Sequence, residues 1–369
     1  FMPAVNQATQ KLRSFLSPID IGWALGLAGF VVVGYGCWSA AELENRSLLA
    51  GLVFGIPALI CFAAVARPAR FTLCYAVMMT ACSVALVERE TLAKARGFFG
   101  VNEVAYDAES GFRWLVNGRT LHGLQRADQS DNPEPLSYFH RLGPVGDVFS
   151  VHRLPTKAKV GVVGLGVGSV ASYGQPGQWF DFYEIDPVVV RMAQDPQHFN
   201  YLSSCDANCR VILGDARIQL GLTQNGGPDS EQDSFTYDML FLDAFSSDSI
   251  PLHLVTKEAM QLYLQRLEPD GLIVMNITSK FVDLRPIVLG FAKQFGLQVA
   301  IREDQLPGTH LDNGGRLSAT FCVLGRSDEQ IDPFRATGRW QDVECKQGAK
   351  VWTDEHSNIF DILTWLPSI

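Results

Sequence analysis

Hydrophobic and polar positions divide this 369-residue chain into two unlike halves. The first half carries three long apolar runs without a charge, at Ile21–Ala41, Leu48–Ala66 and Phe71–Val87. A membrane-spanning helix needs about 20 apolar residues, and lipid tolerates Gly and Pro inside such a run. A signal peptide accounts for one run but not for three in succession. The pattern predicts a membrane segment over residues 1–96 with about three transmembrane helices, and a lipid bilayer as its partner. The chain begins at Phe1, as a processed form or one with further helices ahead of it would.

From Lys157 the pattern changes to short apolar strands alternating with helical stretches. Val160–Val163 reads as a buried strand and ends in Gly164-Leu165-Gly166-Val167-Gly168. Phe180–Ile185 reads as a second strand, and a helix starts over Val188–Ala193. Arg210–Leu213 is a third strand, closed by Gly214-Asp215-Ala216, and Asp238–Leu242 a fourth, closed by Asp243. A helix around Thr256–Leu267 and a fifth strand at Leu272–Ile277 follow. This alternation predicts an α/β fold with a doubly wound, Rossmann-like parallel sheet. The polar residues at the strand ends lie where such sheets bind ligands.

Charge separates the halves again. Residues 1–96 hold eight basic and five acidic residues, a net of +3, which leaves a net of −12 for the remainder. An acidic domain excludes general nucleic-acid binding, which needs a basic face. The basic residues flanking the apolar runs are evenly split, with Lys11, Arg13, Arg67 and Arg70 against Arg46, Arg89, Lys94 and Arg96, so they do not orient the segment. Cys205 and Cys209 are spaced to close a small disulfide loop or to offer two metal ligands. No second Cys/His pair stands at zinc-like spacing, so no metal is expected.

The strand ends carry the candidate chemistry. Gly164, Gly166 and Gly168 let the backbone turn tightly and bring a ligand close to the chain. Glu184, 20 residues after Gly164, is positioned to bind two ribose hydroxyls. Asp215 is positioned for an adenine amino group, with Ala216 leaving room for the ring. Glu184 and Asp215 are equally placed to cap the helices that follow them. The succession of Gly-x-Gly-x-Gly, Glu and Gly-Asp-Ala fits an S-adenosyl ligand.

These motifs resemble the spermidine synthase (polyamine aminopropyltransferase) family, and more closely its bacterial membrane-fused branch. The matching pieces are Asn117-Gly118-Arg119-Thr120-Leu121-His122-Gly123-Leu124-Gln125, Gly164–Gly168, Tyr183-Glu184-Ile185-Asp186-Pro187 and Gly214-Asp215-Ala216-Arg217. Leu242–Pro251 and Trp352–Asn358 complete the series. The resemblance implies a small β-strand region over 97–150, packed on a Rossmann-like domain over 151–369. It implies a transferase of polyamine biosynthesis that moves an aminopropyl group from decarboxylated S-adenosylmethionine to a small-molecule amine. Asp243 matches the family's catalytic aspartate, and Asp248 is the candidate second acid of that loop. The resemblance assigns Gln125 to the cofactor and Tyr138, His140 and Asp354 to the substrate.

Two departures bear on that reading. The family's glycine motif carries an aspartate for the donor's ammonium where Val167 stands, and valine cannot fill that role. Asp243 and Asp248 are five apart, against three in the family's Asp-Ser-Ser-Asp. An S-adenosylmethionine-dependent methyltransferase and a non-catalytic membrane-complex subunit with a degenerate nucleotide fold therefore stay open beside the transferase. A multi-pass protein of the bacterial inner membrane is expected, with its catalytic domain in the cytoplasm where the donor is made. The sequence leaves a homo-oligomer open.

Overall fold

A computed structural model describes residues 17–39, 43–85, 90–118, 120–128, 131–222, 236–244, 251–279, 282–307, 313–343 and 348–363. The chain divides into two compact units, Phe1–Glu88 and Arg89–Ile369.

In the first unit the apolar runs fold as three helices, α1 (Pro18–Ser39), α2 (Leu43–Ala63) and α3 (Pro68–Ala85). Leu27, Cys61 and Cys74 meet in their shared core. Among the described residues no helix is long and apolar enough to cross a membrane. This overturns the transmembrane helices expected over 1–96. With them goes the multi-pass inner-membrane location. The physical reason lies at the helix ends, where each helix takes in polar residues that the uncharged runs leave out. Asp20 stands in the first turns of α1, Glu44, Asn45 and Arg46 in those of α2, and Arg70 and Thr72 in those of α3. Arg70 Nε donates to Asp20 Oδ1 at 2.9 Å, joining α1 to α3. Helix α3 is only 18 residues long, against the roughly 20 apolar residues a span requires.

The second unit opens with an antiparallel meander of four strands, β1 (Glu90–Gly97), β2 (Gly100–Asp107), β3 (Phe112–Asn117) and β4 (Thr120–Arg126). After α4 (Pro144–Val151) comes a seven-stranded sheet built from β5 (Lys159–Val163), β6 (Trp179–Glu184), β7 (Asn208–Leu213), β8 (Tyr237–Leu242), β9 (Leu267–Asn276), β10 (Gln298–Asp304) and β11 (Ala319–Gly325). Its strand order is β10-β11-β9-β8-β5-β6-β7, parallel except for the pairings of β11. Helices α5 (Pro187–Gln194), α6 (Ala216–Leu222), α7 (Lys257–Gln265), α8 (Arg285–Phe295) and α9 (Asp328–Arg335) accompany these strands.

The central strands read as continuous apolar runs because helices cover both faces of a parallel sheet. Val160, Phe180, Leu240, Phe241, Ile273 and Val274 are fully buried. Asp181 is buried within β6 and is paired with Arg210, whose Nε and Nη2 donate to it at 2.8 and 2.9 Å. The order reverses direction between β5 and β8, which opens a crevice at the carboxyl ends of β5, β6, β8 and β9.

Candidate active site

The crevice is a cavity of about 400 Å³. Its floor is the turn after β5, where Gly164 and Gly166 adopt φ of +98° and +55°. A Cβ on Gly164 would stand 2.4 Å from the Asp243 carbonyl oxygen, and one on Gly166 2.5 Å from that of His122. Only glycine fits where the turn meets the start of the Asp243 loop on one side and β4 on the other. Gly168, with φ +84°, ends the turn and starts a short 3-10 helix over Ser169–Tyr173.

Glu184, at the end of β6, faces this turn. Its Oε2 accepts from Leu165 N at 3.1 Å and its Oε1 from Asp186 N at 2.9 Å. Burial raises its pKa, while these backbone amides oppose the shift. Both amides hold the carboxylate toward the crevice that it lines. Asp215 does two things: its Oδ1 accepts from Ile218 N at 3.0 Å, and its Oδ2 lies 2.9 Å from His253 Nε2. Asp215 and Ala216 also line the crevice.

Asp243 follows β8, with its backbone amide donating to Val163 O at 2.8 Å. Its carboxylate is part-buried and accepts from Asn276 Nδ2 at 2.6 Å. Burial pushes its pKa up to about 7, and the Asn276 hydrogen bond works in the opposite direction. Asn276 is itself oriented, its Oδ1 accepting from Thr278 N at 2.9 Å. A carboxyl group of this pKa exchanges a proton near neutrality, as a general base must.

The other expected residues are distributed unevenly. Tyr138 lines the crevice. His140 does not; its Nδ1 accepts from Leu142 N at 3.1 Å, and burial lowers its pKa. Gln125 is also absent from the lining, and its side chain exchanges hydrogen bonds with Asn200. Asp354 is engaged by Arg217, whose Nη1 donates to its Oδ1 at 2.7 Å, and by Thr256 Oγ1 at 2.8 Å. Arg217 Nη1 also donates to the His253 carbonyl at 3.0 Å. Asp354 thus bears on the crevice at one remove, through the segment that carries His253. Asp248 lies outside the described residues. Asn276, His253, His122 and Phe99 also line the crevice, residues to which the sequence assigned no role in a site.

Cys205 and Cys209 are free thiols, and Cys205 Sγ donates to Ala171 O at 3.1 Å. Among the described residues no group of three or more His, Cys, Asp or Glu side chains is placed to hold a metal ion.

No protein-family model matches the chain. A polyamine aminopropyltransferase of Vibrio vulnificus (strain CMCP6) is 33% identical over 167 residues, covering 43% of this chain and 51% of the relative. The chain thus spans about half the length of the curated relative it matches. In fold, it resembles the crystal structure of a probable spermidine synthase from Corynebacterium glutamicum ATCC 13032. The TM-score is 0.50 at 18% identity, over 72% of this chain and 97% of that one. The likeness to that spermidine synthase is one of fold.

Within the second unit, Val167 has a packing role. It is 1% exposed, in a cluster with Val104, Leu115, Val188 and Tyr201. A Cβ on Gly123 of β4 would stand 2.5 Å from Val167 Cγ2. The meander therefore rests directly on the glycine turn, and the side chain at position 167 is not among those lining the crevice.

Proposed function

We propose that the crevice binds an S-adenosyl co-substrate and transfers an aminopropyl group from decarboxylated S-adenosylmethionine to a small amine, with Asp243 as the base. The observation that carries this reading is Asp243 itself. It is a part-buried carboxylate beside the glycine turn, with a pKa pushed up to about 7 and Asn276 fixing its orientation. The glycine turn fits a ligand at close range, since a Cβ at Gly164 or Gly166 would collide with backbone. Glu184, held by two backbone amides, is the group for the ribose hydroxyls. Asp215 is the group for the adenine amine, an interaction that competes with its His253 contact.

The donor supplies a carbon activated by its bond to a sulfonium. The lone pair of the acceptor nitrogen forms the new C–N bond as the C–S bond breaks, and that electron pair neutralises the sulfur. Methylthioadenosine leaves, and the proton lost by the nitrogen passes to an Asp243 carboxylate oxygen. A part-buried base of near-neutral pKa favours the neutral amine that the displacement needs. Tyr138 stands on the wall of the same cavity and is the candidate contact for the acceptor.

One observation favours a second reading. Val167 offers no charge to the donor's amino end, so a methyltransferase using intact S-adenosylmethionine remains the competitor. Incubation with each donor and a panel of amines, with the nucleoside product read by mass spectrometry, separates the two. Methylthioadenosine formed only with decarboxylated donor and amine supports the transferase. S-adenosylhomocysteine from intact donor supports the methyltransferase and overturns the first reading.

A further inference from the structure

The tip of the first hairpin reaches the crevice. Gly97-Phe98-Phe99-Gly100 joins β1 to β2, and of its two aromatic residues only Phe99 lines the cavity. Phe98 is 94% exposed, whereas Phe99 is 38% exposed, and the rings meet edge to face at 5.0 Å. The tip is fixed by a chain of buried polar groups. Asn117 Nδ2 donates to the Phe99 carbonyl at 3.4 Å and to Asn102 Oδ1 at 3.0 Å. Asn102 Nδ2 donates in turn to Asp186 Oδ2 at 2.8 Å. The other oxygen of Asp186 caps α5 through Val188 N at 2.8 Å.

Asp186 is two residues beyond Glu184, and the Asp186 backbone amide is one of the two that hold the Glu184 carboxylate. The hairpin tip and the ribose-facing carboxylate are thus parts of one hydrogen-bonded assembly. Two glycines allow the tip to come so close. A Cβ on Gly97 would stand 2.9 Å from Asp186 Oδ1, and one on Gly100 2.8 Å from Asn117 Oδ1. Asn102, Asn117 and Asp186 are all buried. Burying three polar side chains is costly unless each is satisfied, and a satisfied network fixes a single arrangement.

We propose that Phe99 is a ligand-contacting wall of the nucleoside site and that Asp186, Asn102 and Asn117 are the positioning residues that hold it there. The inference rests on the adenosyl reading of the same crevice. The ring presents apolar surface to the cavity beside Ile185, itself 43% exposed and lining the same space. A flat, largely apolar nucleoside bound by Glu184 removes that surface from water. Phe99 gives the meander a part in binding, beyond its support of the glycine turn.

The test is calorimetric titration of the full chain with methylthioadenosine. Phe99→Ala is expected to weaken binding about tenfold, as loss of a partly buried aromatic contact would, and Phe98→Ala to leave it within about twofold. Phe99→Leu is expected to recover most of the affinity. Asn102→Ser, or Asn117→Ser should the first fold poorly, is expected to weaken binding in the wild-type background. In the Phe99→Ala background the same change is expected to have little further effect, a coupling that a purely structural role would not produce. Unchanged affinity in Phe99→Ala, with wild type binding normally, overturns this inference alone. No binding of methylthioadenosine by wild type overturns the adenosyl reading and this inference with it.

Discussion

Asn276 donates its side-chain amide to the Asp243 carboxylate at 2.6 Å across neighbouring strand ends. It is the one hydrogen bond that opposes the upward shift burial imposes on Asp243. The proposed base is therefore set by burial and by Asn276, and its behaviour with pH follows. Turnover should rise as pH passes through about 7 and level off above it, because the base acts when deprotonated. Asn276→Leu removes the opposing bond and should move this rise to higher pH. A pH–rate profile of the two proteins checks both statements.

The same shift predicts a stability effect. Asp243 has a folded pKa of about 7, above the value of an unfolded aspartate. The folded state therefore binds the proton more tightly, and stability falls as pH rises from about 4 to about 7. Asp243→Asn removes this penalty and should stabilise the protein at pH above about 7, by an amount on the order of 2–4 kcal/mol. The gain should fade toward pH of about 4. Denaturant unfolding at the two pH values measures it.

Glu184→Gln should weaken methylthioadenosine binding by about 10- to 100-fold, the cost of exchanging charged hydrogen bonds to two hydroxyls for neutral ones. The fold should be kept, because a Gln side-chain oxygen can still accept from Leu165 or Asp186 N. Isothermal titration and circular dichroism separate the two effects.

Val167→Asp should not graft a donor-binding carboxylate onto the site. Position 167 is buried against Gly123 and the valine cluster, so the new charge would lack a partner. The expected result is a loss of about 3 kcal/mol or more in stability, read by chemical denaturation.

Asp354→Ala should leave the acceptor KM within about twofold and cost at most about 1 kcal/mol, since its ion pair with Arg217 is part-exposed. Steady-state kinetics with the acceptor found in the product assay decides the matter. A KM raised tenfold or more would put Asp354 on the substrate.

Much of the crevice was legible because parallel α/β sheets gather their ligand-binding residues at strand ends. Gly164, Glu184, Asp215, Ala216 and Asp243 each close an apolar run, and each lines the cavity. Gln125 shows where sequence spacing loses its grip. Leu115 pairs with Gly123 but the next residue, Val116, with Leu121, so β4 is out of step at His122. A one-residue shift exchanges the two faces of a strand. Thr120, Leu121 and His122 consequently line the crevice, while Gln125 turns to Asn200. Asn276 gave little signal as one amide at the end of an apolar strand, and Phe99 read as part of a glycine-flanked turn. The apolar runs of the first unit were real, but the first turns of their helices take in Asp20, Glu44 and Arg70, which uncharged windows do not include.

The most direct test of the central claim is release of methylthioadenosine from decarboxylated S-adenosylmethionine, compared in wild type and Asp243→Asn at saturating amine. The account predicts amine-dependent release by wild type. In Asp243→Asn it predicts a fall of about 100-fold or more, the scale of losing a general base, with methylthioadenosine affinity unchanged. Equal rates in the two proteins, or no release by wild type with any amine, would contradict it.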